Sequence, residues 1–395
     1  MLSEKLLCDT SQKEKDIINM VYREKLISRS TLLKKSGMKI ATLYRTIELL
    51  IKKGVLTTAP NDLIVQDTCL GRPSDLLCLN AYFGYTICIS LFRTHCRINL
   101  VDFNGTILTF DEFTLSEVSD PHDFFEKIKT TVLSQLDSTS LKMSQVLGIA
   151  VSTVGHINVE YGAIDRITNS TSVFLDKLQL KAQLSSIFKK PIVINNIVSS
   201  AALGKHIATP NASILGYILI NEGISANVVF EHYKPQNSKN FINGLGHMII
   251  NMDGRKCECG SYGCLETYCS SVAIVNDVST ELKCGMNSIL SAHIDNLTFH
   301  DVASAARQND PLAVHTIKHA AAIFTTGLKN FLNILPVDTL IFGGSVVIDC
   351  PLFMDTIKKS FQNTASPKYI SVDDNIQHSV AIGSFTEMLY TLLDM

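Results

Sequence analysis

The spacing of apolar residues is helical at the start of the chain. Ile17, Ile18, Val21 and Tyr22 give one face to a first helix; STLLKKS forms a short second one, capped by Ser28 or Ser30 and stopped by Gly37. A third begins near Met38, turns Ala41, Leu43, Ile47 and Leu50 inward, and ends at Lys52-Lys53-Gly54, where cations and a glycine suit a helix C-terminus. A short helix, a turn and another helix predict a helix-turn-helix. VLTT and LIVQ follow as two strands around Pro60, Asn61 and Asp62, forming a wing, so residues 1–67 read as a winged helix-turn-helix domain.

DTCLGRPSDLL reads as a linker over residues 68–80, since Pro73 cannot continue a helix and Gly71 loosens the chain. From Ala81 the pattern changes to short β segments: YTICISLF, CRINLVDF and, after the hairpin signal Asn104-Gly105, TILTF. Helical stretches follow at 121–138 and 179–189, with strands at VLGIAVS and PIVIN. A second set has strands at LGYILIN and ANVVFEH, helices near 299–333, a buried strand at TLIFGG and a further helix. Strands joined by helices, occurring twice, predict a two-lobed α/β body over residues 81–395 with a cleft between lobes. In the final helix Phe385, Met388, Leu389, Leu392 and Leu393 fall at i, i+3, i+4, i+7 and i+8. That spacing suits packing onto its own body or a dimer partner, and leaves a membrane surface as the rival reading, which its few cations argue against.

The totals fit this layout. The 395 residues allow two or three domains with real cores, and 46% hydrophobic with 18% charged residues is globular rather than disordered. Eleven cysteines is an odd number for a disulfide framework, and no N-terminal signal segment is visible, so a reducing cytoplasm is expected. The longest apolar runs, such as ILGYILI, fall short of the roughly 20 residues a bilayer span needs, so no stable membrane insertion is expected. Charge is uneven. Residues 1–60 carry twelve lysines and arginines against six acids, a net +6 within a chain of net −2, which leaves −8 on the rest. A basic head on an acidic body suits a nucleic-acid reader with a separate second function; solvated lysines on ordinary helices would give the same count.

The densest chemistry lies in GHMIINMDGRKCECGSYGCLE, where His247, Cys257, Cys259 and Cys264 fall within eighteen positions, bent at Gly254, Gly260 and Gly263. Thiolate sulfur and imidazole nitrogen are the donors tetrahedral zinc prefers, and four protein ligands leave no open position, which predicts a structural ion rather than free thiols. In the head, Lys39, Thr42, Tyr44 and Arg45 point away from the apolar face of the third helix, placed to meet base edges and phosphates of double-stranded DNA in a major groove. A small helical oligomerisation head is the alternative. Arg72, flanked by glycine and proline, is either a minor-groove contact or part of a plain hinge.

Taken together, GLGHM…CECGSYGCLE, STVGHINVEYGAIDRITN, LIFGGSV and the winged helix joined through GRP resemble the ROK family of sugar-responsive bacterial repressors and sugar kinases. The resemblance implies an actin-like, ribonuclease H-like body, and the attached head is similar to the repressor branch. The family's kinases have a first phosphate turn reading Asp-x-Gly-Gly-Thr; aligned through Gly84, this chain offers Thr86, Ile87, Cys88, Ile89 and Ser90. The second turn, near Gly223-Ile224-Ser225-Ala226-Asn227, keeps one glycine. Where the family's catalytic Asp stands, the chain has Asn196, and an amide cannot serve as general base. No catalytic residue is expected. The sugar contacts the resemblance carries over are Asn195, Asn196, His247 and Glu266, with Asn169 in GAIDRITN; a family Glu is replaced by Gly244. The expectation is a repressor of carbohydrate-uptake or utilisation genes, acting as a homodimer or tetramer. A sugar, a sugar phosphate or a transporter protein would control it.

Overall fold

The computed structural model describes residues 7, 9–59, 76–158, 161–166, 173–231, 244–362 and 367–394. The head opens with α1 (Gln12–Glu24), set by a capping box in which Ser11 and Glu14 bond each other's backbone N–H. Strand β1 (Ile27–Ser28) leads into α2 (Arg29–Ser36), capped by Ser28 and ended by Gly37 in the left-handed region. After Met38 and Lys39, α3 (Ile40–Lys52) buries Leu43, Ile47 and Leu50. Ala41, expected inward, is exposed, because it precedes Leu43 by only two positions and so sits across the helix from it.

The head's sheet differs from the expected wing. Strand β2 (Leu56–Thr58) pairs antiparallel with β3 (Leu76–Leu79), and β3 also pairs with β1, in the order β1-β3-β2. Residues 76–79, expected within the linker, are instead the central strand, because Leu77 and Leu79 complete the head's core. The segment LIVQ, the turn at 60–62 and Arg72 lie outside the described residues.

Contacts divide the chain into a first unit, Met1–Pro210 with Val380–Met395, and a second, Asn211–Tyr233 with Ser238–Ser379. In the first, strands β4 (Tyr85–Leu91), β5 (His95–Asp102), β6 (Ile107–Thr114), β7 (Val146–Thr153) and β10 (Ile192–Asn196) form a sheet in the order β10-β7-β4-β5-β6. Between β7 and β10 a small hairpin joins β8 (His156–Asn158) to β9 (Ala163–Arg166). β4, β7 and β10 run parallel, while β4-β5 and β5-β6 are antiparallel. β4 is buried along its whole length because both sheet faces are covered. Ile87, Ile89 and Leu91 face a core shared with α4 (Pro121–Ser138) and α5 (Leu180–Phe188). Cys88, on the opposite face, joins a core that also holds Ile207 of α6 (Ile197–Ala208).

The second unit has strands β11 (Ile214–Ile220), β12 (Ile224–Phe230), β13 (Thr339–Gly343) and β14 (Tyr369–Val372) in the order β12-β11-β13-β14. Its helices are α7 (Glu266–Cys269), α8 (Ser271–Lys283), α9 (Phe299–Arg307), α10 (Pro311–Ile334), α11 (Ser345–Ile348) and α12 (Pro351–Phe361). The helices expected near 299–333 are these α9 and α10, separated by Asn309 in the left-handed region and restarted by Asp310 as cap with Pro311 behind it. Phe324, Phe342 and Phe353 centre the core, with ring pairs 6.2 and 5.8 Å apart.

Helix α13 (Ile376–Leu392) belongs to the first unit from Val380 onward. Phe385, Met388, Leu389, Leu392 and Leu393 are all buried in one core with Ile17, Ile18, Val21 and Tyr22 of the head. The face expected to be amphipathic is therefore covered by its own chain and closed to membrane or transporter docking. Polar clamps reinforce the contact: Tyr390 donates to Asn19 at 3.0 Å and Lys15 to the Asp394 carbonyl at 2.9 Å. Lys25 lies 4.3 Å over the Tyr22 ring and donates to the Asn104 carbonyl at 2.7 Å; burial pushes its amine down to about 8, with Asp102 opposing. Each fully buried apolar side chain here contributes about 1.5–3 kcal/mol, so the head is docked rather than tethered.

On its other side α13 meets α6 backbone to backbone. A Cβ at Gly383 would overlap the Ser200 carbonyl oxygen. The closeness lets Ser152 reach both Ser200 at 2.7 Å and Ser384 at 2.6 Å, satisfying three buried hydroxyls.

Candidate functional site

The outward face of α3 is set by its start. Lys39 is the N-cap residue and its side chain makes no cap hydrogen bond, leaving the first turn of amides unfilled by the chain itself. Lys39, Tyr44 and Arg45 are exposed and Thr42 is partly so; the Thr42 carbonyl accepts from the Thr46 hydroxyl at 2.9 Å. Among the described residues Lys39 and Arg45 have no ion-pair partner, whereas Lys35 is paired with Glu24 and Lys53 with Glu14. Sequence reasoning missed Arg29. Its guanidinium sits 5.4 Å over the Tyr44 ring and 3.3 Å from Glu48, fixing the tyrosine's orientation from the neighbouring helix.

The four metal-type donors converge in the second unit. His247, Cys257, Cys259 and Cys264 bring their ligand atoms within 4.8 Å of one another. His247 Nδ1 lies 3.6 Å from Cys257 Sγ, and Cys259 Sγ lies 3.7 Å from Cys264 Sγ. For bonds of about 2.3 Å to sulfur and about 2.0–2.1 Å to nitrogen, the edges of a tetrahedron are ~3.6–3.8 Å, so donor set and spacing are compatible with zinc. The backbone builds this knuckle. Cys257 N–H donates to the Ser261 carbonyl at 2.8 Å, and Gly260 N–H to the Cys257 carbonyl at 3.0 Å. Gly263 has a φ of +72°, and a Cβ there would overlap the Asn251 carbonyl oxygen. Burial pushes the Cys264 thiol up to about 12, while the Ser261 N–H pulls Cys259 down. Three such thiols ionise together only beside a cation.

Of the expected ligand contacts, His247 and Glu266 share the second unit. Glu266 accepts from the Ile224 N–H at 2.7 Å, and Gly246 beside it has no room for a side chain. His247 turns Nδ1 to the thiols, and no described residue bonds its Nε2. Asn195 and Asn196 belong to the first unit and are already engaged. Asn195 donates to the buried Glu387 of α13 and accepts from the Asn196 N–H at 2.7 Å. Asn196 caps α6 through the Val198 N–H at 2.9 Å. Glu387 was not foreseen, since nothing in its spacing marks it among apolar neighbours. Asn169 lies outside the described residues.

The position aligned with the kinases' first phosphate turn needs correcting. Thr86–Ser90 are interior positions of β4, paired on both sides, and the turn to β5 is Phe92-Arg93-Thr94, closed by Phe92 N–H on the His95 carbonyl at 2.9 Å. Neither a glycine nor a carboxylate stands there. Likewise the turn before β12 is Asn221–Gly223, and Ile224–Asn227 are strand.

Comparison with known proteins places these features. The pattern that defines the ROK family matches residues 86–382. The xylose repressor of Bacillus subtilis (strain 168) is 22% identical over 351 residues, 87% of this chain and 85% of that protein. The DNA-binding transcriptional dual regulator NagC of Escherichia coli (strain K12) is 22% identical over 381 residues, 93% of this chain and 90% of that protein. A solved ROK family transcriptional regulator, described as a homolog of the E. coli MLC protein, superposes with a TM-score of 0.74 at 22% identity, covering 93% of this chain and 94% of its own. A ROK family glucokinase from Streptomyces griseus, solved with glucose and AMPPNP, gives a TM-score of 0.62 at 20% identity, covering 77% of this chain and 98% of its own.

Proposed function

The chain belongs to the ROK family, and on that premise we propose that it is a DNA-binding transcriptional regulator, a repressor of carbohydrate-uptake or utilisation genes. One observation carries the reading. The likeness to the solved regulator covers 93% of the chain, leaving too few of its 395 residues unmatched to omit the head, while the likeness to the glucokinase covers 77%. The head is then a winged helix-turn-helix. Helix α3 enters the major groove with Lys39 on phosphate and Thr42, Tyr44 and Arg45 at base edges; Arg72 is assigned to the minor groove.

Two heads in a homodimer or tetramer would meet half-sites one helical turn or a multiple apart, about 34–36 Å. The knuckle of His247, Cys257, Cys259 and Cys264 holds a structural zinc ion. The effector is a sugar or sugar phosphate, read on the second unit by His247 and Glu266. On the first unit Asn195, Asn196 and Asn169 are the assigned contacts. Asn195 and Asn196 would have to exchange their present hydrogen bonds to take part. A transporter protein is the alternative effector, and α13 is not its dock. Control requires that the effector favour one arrangement of the protein over another.

Phosphotransfer is not assigned. An amide at Asn196 and a β4–β5 turn of Phe92, Arg93 and Thr94 supply neither a base nor a glycine-rich phosphate cradle. Incubation with ATP and a panel of hexoses tests this, and turnover on any of them would restore the kinase reading. Footprinting of the purified protein on DNA upstream of its own gene tests the regulator reading. A protected site is expected; indifference to duplex DNA at low salt would leave a zinc-stabilised protein-interaction module instead.

A further inference from the structure

A second cluster of metal-type donors lies apart from the knuckle. His315 and His319 occupy successive turns of α10, both exposed, with rings parallel to within 2° and centroids 6.3 Å apart. They line a cavity of about 470 Å³ together with Asp277 and Glu281, which stand one turn apart on α8. Two imidazoles at i and i+4 share one helix face, with Cβ atoms about 5–6 Å apart, so small side-chain rotations bring one nitrogen from each onto a single ion. The facing carboxylates supply negative charge. Asp277 is already bound to Arg255 at 2.8 Å, but no described residue pairs with Glu281.

We propose that His315 and His319 form a second site for a borderline divalent transition-metal ion, with Glu281 as the carboxylate of the same cavity able to join them. Imidazole and carboxylate without thiolate suit nickel, cobalt, copper or zinc in an open, exchangeable coordination. Among the described residues only the knuckle gathers three or more donors in advance, so this pair binds more weakly and completes its shell with water. The cavity also takes in Arg255, two positions before Cys257. Filling it ties α10 to α8 beside the knuckle loop.

The test uses the full chain with its knuckle loaded with zinc, titrated with Ni²⁺ and followed by calorimetry. One equivalent beyond the knuckle is expected, without a thiolate-to-nickel absorption band. His315→Ala and His319→Ala should each weaken it by at least roughly tenfold, since even outer-shell changes around a metal cost about that much. Zinc content and melting temperature should be unchanged in both variants. Glu281→Gln should weaken binding without abolishing it. No uptake by the parent chain, or the same uptake by the double histidine variant, would overturn the proposal.

Discussion

The phenol of Tyr22 and the hydroxyl of Thr386 lie 2.6 Å apart in a buried core, joining the head's first helix to α13 across 364 positions of sequence. The Tyr22 ring also packs edge-on against Phe385 at 5.6 Å. Tyr22→Phe keeps the ring and removes the bond. Thr386 retains its bond to the Ile382 carbonyl at 2.7 Å, so no donor is orphaned and the cost should be about 1 kcal/mol. Tyr22→Ala removes the ring as well and should cost about 3–5 kcal/mol. Urea denaturation of the two variants measures the difference; equal midpoints would show that the ring does not seat the head.

Glu387 makes stability depend on pH. Burial pushes its carboxyl up from 4.5 to about 7, against the Asn195 amide, which pulls it down. The folded chain thus holds a proton that the unfolded chain releases. As far as this group is concerned, stability is greatest below about pH 4.5, falls as pH rises, and stops falling above about pH 7. The total is on the order of 3 kcal/mol at about 1.4 kcal/mol per unit. Glu387→Gln can still accept from Asn195 and should flatten the profile across that window. A variant whose melting temperature follows pH as steeply as the parent's would remove this carboxyl as the cause.

The knuckle should fail as a unit. Cys259→Ser should lose the metal and lower the melting temperature, and chelation of the parent protein should do the same, since ion binding and loop folding are one event. Elemental analysis of the variant checks the assignment directly; full zinc content with unaltered melting would dismiss Cys259 as a ligand.

If α3 reads DNA as proposed, its outer face should make two kinds of contact. Arg45→Ala should weaken binding to a footprinted site by about 1–3 kcal/mol and relax preference at one base pair. Lys39→Ala should weaken binding to all sequences alike and reduce the salt slope by about one. Fluorescence anisotropy at several salt concentrations distinguishes them.

Wherever periodicity was strong, the fold could be read in advance. Helix α4 begins at Pro121 and ends at Ser138 as expected, and β7, β10, β11 and β13 lie where apolar runs placed them. The knuckle was legible because its donors are neighbours in sequence. Leu76–Leu79 were misread because four residues beside a proline-containing segment carry too little alternation to show a strand, and only the partners Leu56 and Ile27 make one. An alignment anchored on Gly84, just before β4, puts the phosphate turn at Thr86–Ser90, whereas the turn follows the whole strand. Arg29 and Glu387 were invisible for another reason. Each acts through a residue distant in sequence, Tyr44 in one case and Asn195 in the other, and no local pattern records such pairings.

The dock for the head is encoded far from the head itself. A ribosome adding roughly 5–20 residues per second delivers Phe385 and Thr386 roughly 20–70 s after Tyr22 has been made. During synthesis the apolar surface destined for α13 is open to water, a natural substrate for chaperones. A chain cut short ahead of Phe385 would leave the head without its seat, so the head can dock only after that residue has been made.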